Sequence, residues 1–545
     1  MDAQIILFKG FDDQRPGTSG LRKSVARFRE AHYLESFTQA IIDATPGFCE
    51  GPLLLGGDGR YFNREAIQIL CRIFVANRVP NIRIGLHGLL STPAASHLIR
   101  NDKLAGAILL TASHNPGGPD GDFGVKFNVA SGSPAPESVT EAVYQRARSL
   151  TEYRIAQMPH IDIDHIGRHT RGDTVIEVID TVTPYLDFLE AIFDFDAIRT
   201  LIRRADFDFR FDAMHAVTGA YATPLFVDRL GATEHSLLRA DPLSDFGGRA
   251  PDPSPEHAAD LMRLMFSKHA PAFGAASDGD GDRNMILGPH CFVSPGDSLA
   301  ILTANAHHIP WFANGLKGVA RSMPTSRAVD QVAAALGIEC FETPTGWKYF
   351  GNLLDADRIS LCGEESFGTS SDHIREKDGL WAVLFWLNLL AKTGRTVPEI
   401  VRDHWARFGR HATLRLDYEE IESRRAGLVI ERLRERLPAL PGQRLADLDI
   451  TAADEFTYHD PIDGSVSEHQ GLRIIFGERG RIVVRLSGTG TKGATLRIYL
   501  EKRVEGQATN IAAPAEEILT NLAREARSLL RLTEIIGRDE PSTTV

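Results

Sequence analysis

The chain is poor in cysteine, with five in 545 residues and no CxxC pair among them. Cys49, Cys71, Cys291, Cys340 and Cys362 are scattered and odd in number, which argues against a disulfide framework and suits reduced thiols in the cytoplasm. No apolar run is long enough to cross a bilayer. The longest, Leu380 to Ala391, is interrupted by Asn388 and reads as a buried helix. The first residues include Asp2 and Lys9 and have no signal-peptide core. Positive charge is also short: 60 Lys and Arg face 72 Asp and Glu, a net charge of −12, so no nucleic acid is expected as partner. There is no Gly-Lys dipeptide, hence no Walker A loop. What is present is a 43% apolar, soluble composition, too long for one core, so three or four domains are expected.

Two motifs carry chemistry. Gly106-Ala107-Ile108-Leu109-Leu110 is short and apolar and runs into Thr111-Ala112-Ser113-His114-Asn115-Pro116-Gly117-Gly118. That is a buried strand ending in a Gly/Pro-shaped turn that presents the Ser113 hydroxyl. Such a hydroxyl needs help from a base or a metal, and His114 and Lys126 are the nearest candidates in sequence. Read alone, Ser-His-Asn is also an ordinary turn. The second motif follows Phe273-Gly274-Ala275-Ala276-Ser277. Here Asp278, Asp280 and Asp282 alternate with glycines and end on Arg283. The glycines let three carboxylates turn toward one point, and carboxylate oxygens suit Mg2+ or Ca2+. An EF-hand is excluded, since its sixth and twelfth positions would be Arg283 and Pro289.

Two further loops follow. Arg358 to Cys362 reads as another strand end before Gly363-Glu364-Glu365-Ser366-Phe367-Gly368. Read alone this is an ordinary acidic loop, although Glu364 and Ser366 have the hydrogen-bonding capacity to hold vicinal hydroxyls. Arg485 to Gly493 contains a formal G-x-G-x-x-G, but Ala494 to Leu500 alternates like a strand, so the dinucleotide reading fails. Strand, Gly/Ser/Thr loop and strand make a phosphate cradle of backbone N–H groups, hydroxyls and guanidinium forks.

On these motifs the chain resembles the α-D-phosphohexomutases, from Gly17-Thr18-Ser19-Gly20-Leu21-Arg22 to Arg497. Gly121 to Asn128 is similar to the branch that interconverts glucose 1-phosphate and glucose 6-phosphate. The resemblance implies a phosphoserine at Ser113. It implies one Mg2+ held by Asp278, Asp280, Asp282 and the Ser113 phosphate, and glucose 1,6-bisphosphate as activator and intermediate. Sugar contacts fall on Thr345, Gly346, Glu364 and Ser366. The phosphate grip falls on Arg485, Ser487, Gly488, Thr489 and Arg497. Arg15, Arg22, Lys126, Arg283 and Lys377 form a cationic lining, with His114, Lys126 and Lys377 as acid/base candidates. Trp347 is either a sugar-side residue or a core aromatic.

The implied fold is α/β: three related α/β sandwich domains plus a distinct C-terminal α+β domain around a central cleft. The expected boundaries are 1–180, 181–303, 304–409 and 410–545. Sugar phosphates are the expected partners, and the chain is expected to be a monomer or weak dimer. A phosphomannomutase, a dual-specificity phosphohexomutase, a phosphatase and a non-catalytic scaffold are the competing readings. Glu422 to Leu437 alternates in charge sign and reads as a solvated helix face. The polar tail Asp539 to Val545 is expected to fray.

Overall fold

Leu53–Gly57 has no polar side chain to offer solvent. In the computed structural model, which describes residues 3–17, 19–45, 47–487, 493–505 and 511–545, it is the middle of a seven-stranded sheet. Gly106–Leu110 and Asn81–Leu89 lie parallel to it on either side. Gly106–Leu110 then pairs antiparallel with Asp122–Val129, so the Ser113 turn joins a central strand to an antiparallel neighbour.

That arrangement recurs twice. Phe273–Ser277 lies parallel to Phe209–Asp212 and then turns through the acidic loop into antiparallel Asn284–Gly288, within a five-stranded sheet. Leu361–Gly363 lies parallel to Gly318–Ser322 and turns through the Glu364 loop into antiparallel Thr369–Ser371, within a four-stranded sheet. The three polar loops are topologically equivalent hairpin loops, which supports the expected relation between the α/β units.

The helix Gly379–Thr393 is buried along nearly its whole length, as its almost wholly apolar sequence, broken only by Asn388 before Lys392, requires. Its Trp381, Phe385 and Trp386 sit in a core shared by the second and third units, which also reaches Leu90, Ala94 and Leu98 of the first. Asp378 caps this helix, its carboxylate accepting from the Trp381 N–H at 3.0 Å. The residues just before it, Glu376 and Lys377, are thereby placed where the three units meet.

The last unit differs in type. Its six-stranded sheet is antiparallel throughout and carries its own core against helices Ser423–Arg436 and Ala515–Leu530. Only Ala426, Val429 and Leu433 of Ser423–Arg436 are buried, in line with a solvated charged face. The tail corrects an expectation. Thr543–Thr544 pairs with Arg410–Ile421, and the Arg415 N–H donates to the Val545 carbonyl at 2.7 Å. The polar side chains stay wet while the backbone completes a sheet edge, which composition alone does not reveal.

Candidate active site

Ser113 stands at the start of its turn with φ +53°, a left-handed conformation costly for a residue with a Cβ, and it is 2% exposed. Its N–H donates to Thr111 Oγ1 at 2.8 Å, and its carbonyl accepts from Arg60 Nη2 at 2.7 Å. The hydroxyl donates to Asp278 Oδ2 at 2.8 Å and lies 3.2 Å from His114 Nδ1. The serine loop and the acidic loop, 165 residues apart, therefore meet at the Ser113 hydroxyl.

Asp278, Asp280 and Asp282 are buried, with one oxygen from each lying within 4.8 Å of the other two. Gly281 allows this through φ +79°. Gly279 allows it differently: a Cβ there would sit 2.2 Å from the Ser113 carbonyl oxygen, so the two loops touch backbone to backbone. Asp278 Oδ1 is fixed by the N–H groups of Asp282 and Arg283, both at 2.9 Å. Asp280 Oδ2 accepts from Thr92 Oγ1 at 2.8 Å, and Asp282 Oδ2 pairs with Lys377 Nζ at 3.1 Å. Asp280 Oδ1 and Asp282 Oδ1 have no hydrogen-bond partner among the described residues. Burial, then the charges of Asp282 and Asp280, push the Asp278 carboxyl well above its usual range. Such crowding, with two buried oxygens left unpartnered among the described residues, fits a hard divalent cation.

Cations surround this trio. Arg283 bonds Asp252 at 3.4 Å, and the half-buried Arg22 feels the charge of Asp280. Lys126 pairs with Glu376 at 2.5 Å, and Glu376 also accepts from Asn128. Burial alone would lower the Lys377 pKa, but Asp282, Glu364 and Asp280 outweigh it and raise it. Lys377 is thus held protonated. Burial lowers the His114 pKa well below its usual value, and Arg283, Arg22, Lys377 and Arg497 push the same way. His114 is thus held neutral.

In the third unit, Glu364 is buried, accepts from the Gly346 N–H at 3.0 Å, and closes its turn through Gly368. Burial raises its pKa. Thr345 Oγ1 is buried without a partner among the described residues, and Ser366 is half-buried in the same turn as Glu364. Trp347 is 5% exposed and packs edge-on against Phe350, which makes it a core aromatic. In the last unit Arg485 and Arg497 stand directly opposite each other on antiparallel strands, so they share a face just before the cradle loop. Ser487 ends the first strand. Gly488 and Thr489, like Thr18 of the first motif, lie outside the described residues.

One expected member stays apart. Arg15 is exposed, bonds Glu141 at 3.0 Å and lies over the Tyr144 ring, away from the carboxylates. Other contributors went unread in the sequence. Asp58 and Arg60 clamp the serine turn, Thr92 fixes Asp280, and Glu376 holds Lys126. Leu53-Leu54-Leu55-Gly56-Gly57-Asp58-Gly59-Arg60 carries the same signal as the loops that were read, an apolar strand ending in a charged turn. A Ser371–His373–Asp378 relay mimics a nucleophile triad, with contacts of 2.7 and 3.0 Å. It is sealed from solvent, and Asp378 also binds Tyr185 at 2.6 Å and caps the central helix, so it serves packing.

Comparison with known proteins gives one answer along the chain. Family profiles described as "Phosphoglucomutase/phosphomannomutase, alpha/beta/alpha" domains I, II and III match residues 13–154, 183–290 and 295–408. "Phosphoglucomutase-1, C-terminal domain" matches residues 410–542. A protein of Marchantia polymorpha named phosphoglucomutase 1, chloroplastic, is 51% identical, covering 97% of this chain and 83% of its own. A phosphoglucomutase of Rhizobium radiobacter is 50% identical, covering 98% of each. The crystal structure of the Paramecium phosphoprotein pp63/parafusin, titled a phosphoglucomutase in its open form, superposes with TM-score 0.91 at 45% identity, covering 100% of this chain and 99% of that one.

Proposed function

The chain belongs to the phosphoglucomutase/phosphomannomutase family, and from that premise we propose that it interconverts α-D-glucose 1-phosphate and glucose 6-phosphate through a phosphoserine at Ser113. Glucose 1,6-bisphosphate is the intermediate and the activator. The observation that carries this reading is the Ser113 hydroxyl, seated 2.8 Å from Asp278 among three buried carboxylates and flanked by His114 and Arg283.

In the forward direction the phosphoserine gives its phosphoryl group to the 6-hydroxyl of glucose 1-phosphate. The P–Oγ bond of Ser113 breaks, a P–O6 bond forms, and the hydroxyl proton leaves to a base. After the bisphosphate turns over in the cleft, the phosphate on C1 returns to Ser113, and glucose 6-phosphate departs. Asp278, Asp280 and Asp282 would hold one Mg2+, which when bound offsets the charge of the phosphoserine and of the transferring group. Arg22, Arg283 and Lys377 supply fixed positive charge around the same point, and the protonated Lys377 suits a donor or an electrostatic partner rather than a base. His114, neutral and 3.2 Å from Ser113 Oγ, is placed to take the Ser113 hydroxyl proton as that oxygen regains the phosphoryl group from C1 and to pass it to the departing O1 as the P–O1 bond breaks. Lys126, tied to Glu376, belongs to the supporting shell. Glu364, with Thr345, Gly346 and Ser366, receives sugar hydroxyls. Arg485, Ser487, Gly488, Thr489 and Arg497 hold the phosphate that is not transferring. The five free thiols support placement in the cytoplasm.

The test is formation of glucose 6-phosphate from glucose 1-phosphate with Mg2+ and a trace of glucose 1,6-bisphosphate, with mannose 1-phosphate as the rival substrate and Ser113→Ala alongside. Fast glucose conversion that disappears in Ser113→Ala is expected. Steady release of inorganic phosphate would instead mean a phosphatase. Absence of conversion of either sugar by folded, Mg2+-loaded protein would overturn the mutase reading.

A further inference from the structure

We propose that Arg60 is a positioning residue for phosphoryl transfer, its guanidinium gripping the Ser113 carbonyl and so fixing the serine hydroxyl against the acidic loop. The inference rests on the phosphoserine reading above and adds a residue that lies outside every motif on which that reading stands.

Arg60 and Asp58 are each 1% exposed and form a closed ion pair, Nε lying 3.0 and 2.9 Å from the two Asp58 oxygens. The rest of the guanidinium is spent on the serine hairpin. Nη2 donates to the Ser113 carbonyl at 2.7 Å, and Nη1 donates to the Asp122 carbonyl, where the hairpin returns, at 2.9 Å. Asp58 Oδ2 accepts from Thr111 Oγ1 at 2.6 Å, and Thr111 Oγ1 in turn accepts from the Ser113 N–H at 2.8 Å. Both backbone polar groups of Ser113 therefore end on the same buried ion pair, which closes a ring around a residue held at φ +53°. A left-handed serine persists only where its surroundings over-determine it, and this ring does so.

The grip extends to the second domain. The Phe246 ring centroid lies 5.2 Å from the guanidinium, and the acidic loop approaches the same Ser113 carbonyl so closely at Gly279 that a Cβ there would lie 2.2 Å from its oxygen. A carbonyl held by Arg60 and closely approached by Gly279 leaves the hydroxyl little freedom of distance to Asp278. A buried ion pair is weak evidence for stability, since apolar side chains could fill the same space. The fork geometry, which lysine cannot reproduce, is what this position uses.

Arg60→Lys and Thr111→Val release two separate arms of the ring. Each is loaded with glucose 1,6-bisphosphate, and phosphate on Ser113 is counted by intact mass. The rate of transfer to glucose 1-phosphate is then expressed per phosphoserine, and hydrogen exchange is followed in the peptide spanning 111–118. Transfer per phosphoserine is expected to fall about 10²-fold, as for a reacting group misplaced by an ångström, with KM nearly unchanged. Exchange should accelerate in that peptide and not elsewhere. A merely structural Arg60 would lower the melting temperature and the yield of folded protein but leave the rate per phosphoserine intact, and that result overturns the proposal. If Arg60→Lys does not fold, Thr111→Val decides alone. If the wild type moves no phosphate between sugars, the mutase reading falls, and exchange at 111–118 still decides the clamp.

Discussion

Gly279→Ala isolates the contact between the serine loop and the acidic loop. Gly279 is absent from the left-handed residues, so alanine can adopt its backbone, and the substitution acts through the added Cβ alone. That Cβ would lie 2.2 Å from the Ser113 carbonyl oxygen, against roughly 3.3 Å for an ordinary carbon–oxygen contact. The loops must separate by roughly 1 Å. Neither side yields easily. The carbonyl is backed by Arg60 at 2.7 Å, and the acidic loop is anchored by the Asp278 carboxylate on two N–H groups. A displacement of that size between nucleophile and partner costs about 10²-fold in kcat, or about 2.7 kcal/mol of barrier. The overpacking should also destabilise the fold by about 1–3 kcal/mol. The assay is glucose 6-phosphate formation at saturating Mg2+ and substrate, with urea unfolding beside it. A variant with kcat near that of the wild type would refute the claim that these loops are in rigid contact.

Three other expectations follow from the same structure. Gly427 lies inside helix Ser423–Arg436, where an added Cβ would meet nothing within 4 Å, so Gly427→Ala should raise stability by about 1 kcal/mol in urea unfolding and leave kcat alone. Chelation should abolish transfer and lower the melting temperature, Mg2+ should restore both, and Asp280→Asn should demand more Mg2+ for half-activity. His404 is buried with both ring nitrogens unpartnered among the described residues, and burial lowers its pKa to about 3 from 6.5. Its folded form resists protonation, so the stability it permits is complete above pH 6.5 and falls as pH drops from there toward 3, by at most about 1.4 kcal/mol per pH unit. His404→Leu should flatten that acid limb in urea midpoints measured from pH 7 to 4.

The parts of the site that could be read from sequence share one property: each is written within a dozen consecutive residues. An apolar run that stops at a polar, glycine-bearing turn predicts a strand end with its loop, and Gly106–Leu110, Phe273–Ser277 and Leu361–Gly363 are such strands. What composition could not supply is which side chains meet across the fold. Glu376 reaches Lys126 from a distance of 250 positions, and its acidity reads locally as one more charge before a helix cap. Arg15 fails for the converse reason. Its neighbours suggest the site, yet its partners Glu141 and Tyr144 lie on an outer helix. Asp58 and Arg60 sit between these cases, since their local signal equals that of the loops that were read, but they carry no hydroxyl or metal-ligand cluster to single them out. Their effect is exerted through the Ser113 backbone. A reading built on reactive side chains finds the groups that react and passes over those that hold them. In this fold the holding is done by loops and a helix start from different units, touching at glycines: Gly279 against Ser113, and Gly379 at the head of the central helix, whose Cβ would meet the Arg283 carbonyl at 2.3 Å. The glycines of D-G-D-G-D are therefore of two kinds. Gly281 is needed for its dihedral, whereas Gly279 is needed because another backbone occupies the space a side chain would fill.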